Sequence, residues 1–254
     1  MFSRSLSLIL SIVVGNFLTI FPAYGQTSLI DEILKLEPAI VSVKSINTDI
    51  FTTPARAAAR DPRTGRIVVL RKLRTAHYDR FGAGVIIDPS GIIVTNAHIV
   101  NLAEHLTVIL HNKKEIPAQV LFVVKDSDIA FLKIELSSPI EAVELADSDQ
   151  IKLRDQVITV GNSFLLRQTV SGGQVIGLGQ TKQQMFRGPI KTNELIHTDI
   201  NLYEGDSGGP LFDHRGRLIG LMTAKEVQAD HSSFALPSNH IKRFWAEYVH
   251  GQKK

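Results

Sequence analysis

Gly205-Asp206-Ser207-Gly208-Gly209-Pro210 is the stretch of this 254-residue chain that says most about its fold. A serine hydroxyl is a weak nucleophile, so it needs a base that takes its proton and N–H donors that bind the oxyanion it generates. Glycines close to Ser207 allow a tight turn that directs successive backbone N–H groups at one point. The same six residues would also form an ordinary polar turn between strands, because glycine and proline are both favoured in turns. The hexapeptide alone leaves both interpretations open.

Two segments upstream carry the other side chains that a nucleophilic serine requires. His98 lies in residues 95–100 (TNAHIV), directly after the strand-like run 91–94, and residues 81–88 are predicted to be the preceding strand of the same hairpin. Residues 126–134 (DSDIAFLKI) supply two aspartates ahead of an apolar strand. A carboxylate is needed because it fixes the tautomer of the imidazole and stabilises its charged form.

These three segments, in the order histidine, aspartate, serine, resemble those of the chymotrypsin-fold serine proteases. The resemblance implies that Ser207 is the nucleophile and that His98 is the base. It assigns the orienting carboxylate to Asp128, which directly precedes the IAFLK strand, and makes Asp126 the weaker candidate. The histidines outside this context are interpreted as structural: His105, His111 and His197.

The same resemblance assigns residues that contact the substrate. The oxyanion hole is expected in the nucleophile loop, at Gly205, Asp206 and Ser207, with the N–H groups of Gly205 and Ser207 as donors. The primary specificity pocket and the strand that pairs with the substrate backbone are expected at Asn201, Thr223, Ala224 and Lys225. Asn201 is neutral where a protease specific for Lys or Arg carries an aspartate. Small or medium apolar side chains are therefore the expected preference.

Further segments narrow the resemblance to the HtrA/DegP branch, and together they extend over residues 38–239. They are residues 157–163 (VITVGNS), 170–176 (VSGGQVI), 196–201 (IHTDIN), 216–221 (GRLIGL) and 234–239 (FALPSN). The chain departs from this branch at Ser163, where a proline is usual. Fifteen residues follow Asn239, too few for the PDZ domain that HtrA proteins usually carry, so we expect a protease domain alone.

Asp206 is another departure, because HtrA proteins usually have an asparagine before the nucleophile. In digestive trypsin-like enzymes an aspartate at this position pairs with a new N-terminus that zymogen cleavage releases. No IVGG start is present in this chain. The partner of the Asp206 carboxylate is therefore a question that the sequence leaves open.

The overall pattern is one of short β-branched runs separated by glycines, which predicts an all-β protein. With the resemblance, this becomes two six-stranded antiparallel β-barrels at about residues 36–138 and 139–238, with the active site between them. Short helices are predicted at residues 28–36 and 239–250, the second capped by Ser238 or Asn239. Its apolar face is expected to pack onto the second barrel and consists of Ile241, Phe244, Trp245 and Tyr248.

Residues 47–80 depart from this compact pattern and are predicted to form a long loop, with a possible short strand at 67–70. Residues 56–80 contain eight Lys or Arg and two Asp. No aromatic interleaving or nucleic-acid motif accompanies these charges and the net charge is only +3, so a nucleic-acid partner is not expected. In the HtrA family this position carries a regulatory or intersubunit loop. The resemblance also implies a homotrimer.

The N-terminal residues are typical of an exported protein. Residues 1–25 combine an early Arg4, an apolar run at 6–14 and a small-residue ending at Ala23-Tyr24-Gly25, which predicts a signal peptide. No second apolar run approaches the roughly 18 residues that span a bilayer, so no stable membrane anchor is expected after cleavage. The chain has no cysteine, which favours the periplasm over the extracellular space.

The sequence therefore predicts a periplasmic or secreted serine endopeptidase in residues 26–254. It would hydrolyse peptide bonds of protein substrates through an acyl-enzyme, in quality control or processing, with no metal or other cofactor. A catalytically silent protein that keeps the protease scaffold is an alternative, because fold does not dictate function. An esterase or a dedicated processing enzyme is another.

Overall fold

The computed structural model describes residues 33–60, 62–64, 66–161, 169–179, 195–226 and 231–252. In these residues the strands form two closed barrels of six strands each, and every pairing between neighbouring strands is antiparallel. The predicted fold class is confirmed. The predicted signal peptide at residues 1–25 lies outside the described residues.

The first barrel closes in the order β1-β2-β3-β6-β5-β4 and the second in the order β10-β11-β12-β9-β8-β7. The strands of the first barrel are β1 Ile40–Arg60, β2 Ile67–Asp88, β3 Ile92–Asn96, β4 Ala103–Ile109, β5 Glu115–Val124 and β6 Ile129–Ile134. Those of the second are β7 Gln156–Gly161, β8 Thr169–Gly179, β9 Leu195–Thr198, β10 Pro210–Phe212, β11 Leu218–Lys225 and β12 Ser233–Pro237.

The larger hydrophobic core is continuous from one barrel to the other. It joins Val85 and Phe131 of the first barrel to Phe212 and Leu236 of the second, and all four side chains are buried. A smaller cluster around Met222 belongs to the second barrel alone. The two barrels therefore pack against each other through a shared apolar core.

The β2–β3 hairpin is tight and directs the chain toward the barrel boundary. Its turn is closed by the Gly91 N–H, which donates to the Asp88 carbonyl at 3.0 Å, and Gly91 has a φ of +94° that favours glycine. Hydrogen bonds from Ser90 hold the pKa of the Asp88 carboxyl below its ordinary value. β3 leads straight into the one-turn helix α1, Ala97–Val100, which carries His98.

Residues 47–80 do not form the predicted loop. β1 and β2 continue past the barrel as a two-stranded arm, paired from Ile40 opposite Val85 out to Arg60 opposite Ile67, with a register shift between Pro54 and Ala58. The possible strand at residues 67–70 is the start of β2. The basic residues, prolines and glycine of this segment indicated exposure to solvent. Exposure does not prevent backbone pairing between two antiparallel strands that extend from the same barrel.

The helix predicted at residues 28–36 lies partly outside the described residues. Residues 33–35 are helical and are followed by a 3₁₀ turn, Glu37–Ala39. Ile33 is fully buried in the main core, so this N-terminal segment is packed against the barrels.

The C-terminal helix, α2, spans Ser238–Gln252 as the sequence predicted, but its capping differs. The Ser238 hydroxyl donates to the Ala146 carbonyl at 2.7 Å. The Asn239 N–H is instead accepted by the hydroxyl of Ser148 at 3.1 Å. The helix is therefore anchored at its start to the segment that connects the two barrels.

The expectation that the apolar face of α2 packs onto the second barrel was wrong for its aromatic residues. Trp245 stacks on Phe131 of β6 with ring centroids 5.4 Å apart, and Tyr248 stacks on Phe122 of β5 at 4.6 Å. Phe122 and Phe131 stack on each other at 4.5 Å. The helix starts on the second barrel and crosses to the first, because the first barrel offers it an aromatic surface. None of the helices in the described part of the chain is both long and apolar enough to cross a membrane.

Replacing Trp245 with alanine is expected to destabilise the protein by about 2 kcal/mol, since it removes the stacking on Phe131 and uncovers apolar surface of the first barrel. Denaturant unfolding measures this change. Glu247→Ala, an exposed substitution on the same helix, is the control and is expected to change the free energy of unfolding by less than about 0.5 kcal/mol. Equal effects of the two substitutions would contradict the packing described for α2.

Candidate active site

His98 is held by Asp128 through both its ring and its backbone. The ring Nδ1 lies 2.9 Å from Oδ2 and 3.1 Å from Oδ1 of Asp128, and the His98 N–H donates to Oδ1 at 2.9 Å. Because a carboxylate accepts at Nδ1, that nitrogen carries the proton and Nε2 is left as the acceptor. This is the tautomer that a general base requires.

The position of Asp128 follows from the pairing of β3 with β6. Asn96, at the end of β3, pairs with Ile129 at the start of β6. The Ala97 N–H and the Asn96 side-chain amide both donate to the Asp128 carbonyl at 3.1 Å. Asp128 adopts the left-handed conformation, with a φ of +52°, which aspartate tolerates better than most residues. Asp126 is exposed, and Asp128 is the aspartate that contacts His98.

Ser207 lies at the boundary between the barrels, and its loop is tied to the first barrel. The Ser207 carbonyl accepts a hydrogen bond from the Ala83 N–H of β2 at 2.8 Å. Gly208, with a φ of +85°, comes so close to the Ala83 carbonyl that any side chain would overlap it. The Gly208 N–H donates to the Met222 carbonyl of β11 at 2.7 Å. The nucleophile loop is thereby fixed on two sides.

Thr223 of β11 joins Ser207 to Asp128. Its hydroxyl donates to Asp128 Oδ2 at 2.6 Å, and its carbonyl accepts from the Ser207 hydroxyl at 3.4 Å. Among the described side chains, Ser207 makes this hydrogen bond and none to His98. The structure thus brings Asp128 to His98 directly and connects Ser207 to that pair through Thr223. Rotation of the serine hydroxyl between staggered rotamers is a small movement.

Asp206 has partners within its own loop. Its carboxylate accepts from the Tyr203 N–H at 2.9 Å and its N–H donates to the Tyr203 carbonyl at 3.1 Å, so the two residues close a tight turn. The side chain is only 3% exposed and lies against Gly161, where no Cβ would fit. In digestive enzymes the equivalent buried carboxylate pairs with a cleaved N-terminus. In this protein the carboxylate accepts a hydrogen bond from the loop backbone and packs against Gly161 of β7.

The three residues expected to form the oxyanion hole are not equivalent. The Asp206 N–H is engaged by Tyr203, which corrects its inclusion in this group. The N–H groups of Gly205 and Ser207 have no backbone acceptor among the described residues. Gly205 has a φ of +95°, a backbone conformation that favours glycine. These two N–H groups are the donors that a developing oxyanion could use.

Of the residues predicted to contact the substrate, Asn201 accepts a hydrogen bond from the His231 N–H through its side-chain oxygen at 2.8 Å. Ala224 and Lys225 lie at the end of β11 and pair on one side with Phe234 and Ser233 of β12. Their contact with a substrate stays a prediction. No group of three or more His, Asp or Glu suited to a metal ion occurs in the described ranges, and the chain has no cysteine.

His197 is part of a polar network behind β11. Its Nε2 lies 2.7 Å from the Ser232 hydroxyl, which donates to Glu226 at 2.8 Å, and its ring stacks on Phe234 with centroids 4.5 Å apart. Burial lowers the pKa of His197, with the charge of Glu226 opposing that shift. The ring is therefore neutral at neutral pH and serves the structural role expected for it.

The sequence placed Thr223 on the strand expected to pair with the substrate but did not reveal its hydrogen bond to the Asp128 carboxylate. It did not indicate Arg80 of β2, which donates to the His98 carbonyl at 3.0 Å. Neither lies within a motif that surrounds the histidine or the aspartate, so only the pairing of distant strands could reveal them.

A model of the trypsin-like peptidase domain matches residues 82–221, more than half of the chain, and includes His98, Asp128 and Ser207. The chain belongs to this family. The residues outside the match include β1, the arm, β12 and α2.

Curated relatives agree with this assignment. The chain is 36% identical over 166 residues to the periplasmic pH-dependent serine endoprotease DegQ of Escherichia coli, which covers 64% of this chain and 36% of DegQ. It is 30% identical over 239 residues to the serine protease HTRA3 of Homo sapiens, covering 92% of this chain and 48% of HTRA3. The chain thus spans between about a third and a half of the length of these relatives.

Solved structures agree as well. The HtrA-type protease AlgW with a decapeptide superimposes with a TM-score of 0.67 at 26% identity, covering 87% of this chain and 67% of AlgW. The trypsin-like peptidase domain described here is therefore similar to HtrA-type proteases in both sequence and structure.

Replacing Thr223 with valine is expected to lower kcat/KM roughly 5- to 150-fold. The substitution keeps the volume and the backbone carbonyl but leaves the buried Asp128 carboxylate without one donor, a cost of about 1–3 kcal/mol. Steady-state hydrolysis of a chromogenic peptide measures it. Thr107→Val in β4 is the matched control and should behave as wild type. A Thr223→Val enzyme with unchanged kcat/KM would contradict the role given to this hydroxyl.

The His197 network predicts a loss of stability in acid. Because the pKa of His197 is lowered by folding, the unfolded chain takes up this proton first as the pH falls below about 6.5. The contribution of the neutral ring is complete at pH 7 and is lost as the pH falls through the folded pKa. His197→Gln, which keeps a hydrogen-bonding group near Ser232, should therefore reduce the fall in the free energy of unfolding between about pH 7 and pH 5.

Urea unfolding at several pH values measures this difference, with exposed His214→Gln as the control. If His214→Gln and His197→Gln change the pH dependence equally, burial of His197 is not its cause.

Proposed function

We propose that this protein is a serine endopeptidase that hydrolyses peptide bonds of protein substrates through an acyl-enzyme on Ser207. The observation that carries the proposal is the connected set of Asp128, His98, Thr223 and Ser207 at the barrel boundary. Two relatives, DegQ and DegP, are named serine endoproteases, which supports the proposal. More specifically, we propose an HtrA-type role in the quality control or processing of exported proteins.

In this mechanism the Ser207 hydroxyl turns from the Thr223 carbonyl toward His98 Nε2. His98 takes the hydroxyl proton as Ser207 Oγ attacks the scissile carbonyl carbon, and Asp128 stabilises the imidazolium that forms. The tetrahedral oxyanion is bound by the N–H groups of Gly205 and Ser207. His98 then gives its proton to the leaving amine. Water, deprotonated by His98, hydrolyses the acyl-enzyme and restores Ser207.

We propose a periplasmic or secreted location on the strength of the N-terminal sequence pattern and of the relatives named periplasmic. The resemblance to HtrA proteins further supports a homotrimer as the assembly. In that assembly we place the basic arm near the active-site face, where anions or a neighbouring subunit would meet it.

Ser207→Ala is expected to abolish hydrolysis of casein and of a chromogenic peptide, with a loss of several orders of magnitude in kcat, since no other group replaces the nucleophile. His98→Ala should do the same. Exposed Ser138→Ala is the matched control and should keep full activity. Circular dichroism and thermal unfolding check that each variant is folded.

Labelling with a fluorophosphonate probe separates the alternatives. A wild-type protein that neither labels nor hydrolyses would be a silent protease-fold protein, and one that cleaves esters but no amide would be an esterase. Retention of peptide hydrolysis by folded Ser207→Ala would refute Ser207 as the nucleophile.

The neutral Asn201 predicts that cleavage follows small or medium apolar residues rather than Lys or Arg. A cationic side chain needs a carboxylate in the pocket, and the Asn201 side-chain oxygen is already occupied by the His231 N–H. A peptide library covering all residues at the cleaved position, analysed by mass spectrometry, tests this prediction. Asn201→Asp is expected to raise relative cleavage after Lys and Arg. A library dominated by basic residues with the wild-type enzyme would contradict the prediction.

A further inference from the structure

The helix that carries His98 ends in carbonyl groups that the helix itself cannot satisfy. α1 has a single turn, and the residues after it, Asn101 and Leu102, leave the helix, with Leu102 in the left-handed conformation at a φ of +62°. The last carbonyls of any helix lack intrahelical donors. The carbonyls of residues 98–102, the segment we call the base turn, therefore need donors from elsewhere.

Three side chains from the root of the arm supply donors to four of these five carbonyls. Arg80 Nη1 donates to the His98 carbonyl at 3.0 Å, and the Ser45 hydroxyl donates to the Ile99 carbonyl at 2.7 Å. In the amide orientation that pairs donors with acceptors, the Asn47 nitrogen lies 3.1 Å from the carbonyls of both Asn101 and Leu102. We call Ser45, Asn47 and Arg80 the carbonyl clamp.

The carbonyl clamp is built into two alternate cross-strand pairs, which share one face of the sheet. Ser45 pairs with Arg80 and Asn47 pairs with Tyr78, so the four side chains lie side by side on one face of β1 and β2. These pairs stand where the strands leave the barrel, because β1 pairs with β4 only as far as Asn47. Ser45 and Asn47 are 0% and 1% exposed, so their polar groups would be costly if unpaired.

Arg80 is held in its orientation by Tyr78. Arg80 Nη2 donates to the Tyr78 hydroxyl at 2.9 Å, and the guanidinium lies over the Tyr78 ring at 5.2 Å from its centroid. A planar guanidinium that donates through Nη2 and lies over an aromatic ring has little rotational freedom left. Its Nη1 is therefore directed at the His98 carbonyl by contacts that do not involve the base turn.

Hydrogen bonds therefore hold both the N–H and the carbonyl of His98. Asp128 receives its N–H and its ring Nδ1, whereas Arg80 donates to its carbonyl. Asp128 controls the ring's tautomer, but the placement of Nε2 relative to Ser207 also depends on where the peptide of His98 lies. Displacements of about 1 Å in a catalytic group cost on the order of 100-fold in rate.

We propose that Arg80 is a positioning residue for the reaction that acts through the His98 carbonyl, while Ser45 and Asn47 hold the carbonyls that follow it in the base turn. This inference rests on the proposed protease activity, for which His98 is the base. It links the arm to the active site, since the carbonyl clamp belongs to the same two strands as the arm. Arg80 acts only through His98, so its loss affects the chemical step and leaves substrate affinity in place.

Arg80→Met is the decisive variant, because it keeps an unbranched apolar stem in place of the arginine stem and removes every donor. We expect it to lower kcat about 10- to 100-fold with KM within about twofold of wild type. The rate of fluorophosphonate labelling of Ser207 should fall by a similar factor, since labelling depends on His98 but not on a bound peptide. Arg80→Lys, which retains one donor, should recover part of both rates. Arg215→Met, at an exposed arginine outside the site, is the matched control and should equal wild type.

Tyr78→Phe provides a milder variant that keeps the ring and removes the hydroxyl orienting Arg80, and we expect a loss in kcat of about twofold to fivefold. If thermal unfolding shows that Arg80→Met is not folded, Tyr78→Phe and Arg80→Lys test the positioning role of Arg80 instead. Wild-type kcat and labelling rates in folded Arg80→Met, or in both milder variants, would overturn the proposal while leaving the protease activity intact. A rise in KM with unchanged kcat would also overturn it. An inactive, unlabelled wild-type protein would instead refute the proposed function itself.

Discussion

The Asp128 carboxylate is the interaction on which the rest of the site depends. It receives the His98 ring, the His98 N–H and the Thr223 hydroxyl, the first two from one barrel and the third from the other. A buried carboxylate is stable only when donors surround it. The requirement to satisfy Asp128 therefore also fixes the imidazole tautomer and brings β11, with its contact to Ser207, against the first barrel.

A second contact between the barrels positions Ser207. The Ser207 carbonyl is bound by the Ala83 N–H of β2, and the absence of a side chain at Gly208 permits that approach. β2 thus touches both halves of the site, because it also carries Arg80, which binds the His98 carbonyl. The strand that continues outward as the arm therefore also contacts His98 and the Ser207 loop.

The sequence was sufficient where a local motif dictates a local structure. The glycine-rich turn around Ser207, the strand that leads into His98 and the apolar strand after Asp128 could each be predicted, and both barrels followed from the family they resemble. Asp206 could be noted as unusual, but its partner could not be inferred, because the Tyr203 backbone and Gly161 meet it only after β7 and the nucleophile loop have come together.

The failures share a physical cause, which is that partners distant in sequence decide the outcome. The arm was predicted to be a loop because its composition indicates exposure, whereas its conformation is set by the pairing of β1 with β2. Trp245 and Tyr248 were assigned to the wrong barrel because their spacing shows an apolar face without showing which surface covers it. Phe122 and Phe131 provide that surface.

We infer that both barrels deliver their groups to one reacting centre beside Ser207. A crystal structure of the protein inactivated by a peptidyl phosphonate would test this arrangement. We expect a covalent bond from Ser207 Oγ to phosphorus, a phosphoryl oxygen about 3 Å from the N–H groups of Gly205 and Ser207, and His98 Nε2 within hydrogen-bonding distance of a phosphonate oxygen. An adduct on Ser207 whose oxygens lie away from these N–H groups and from His98, or an adduct at another residue, would contradict the account.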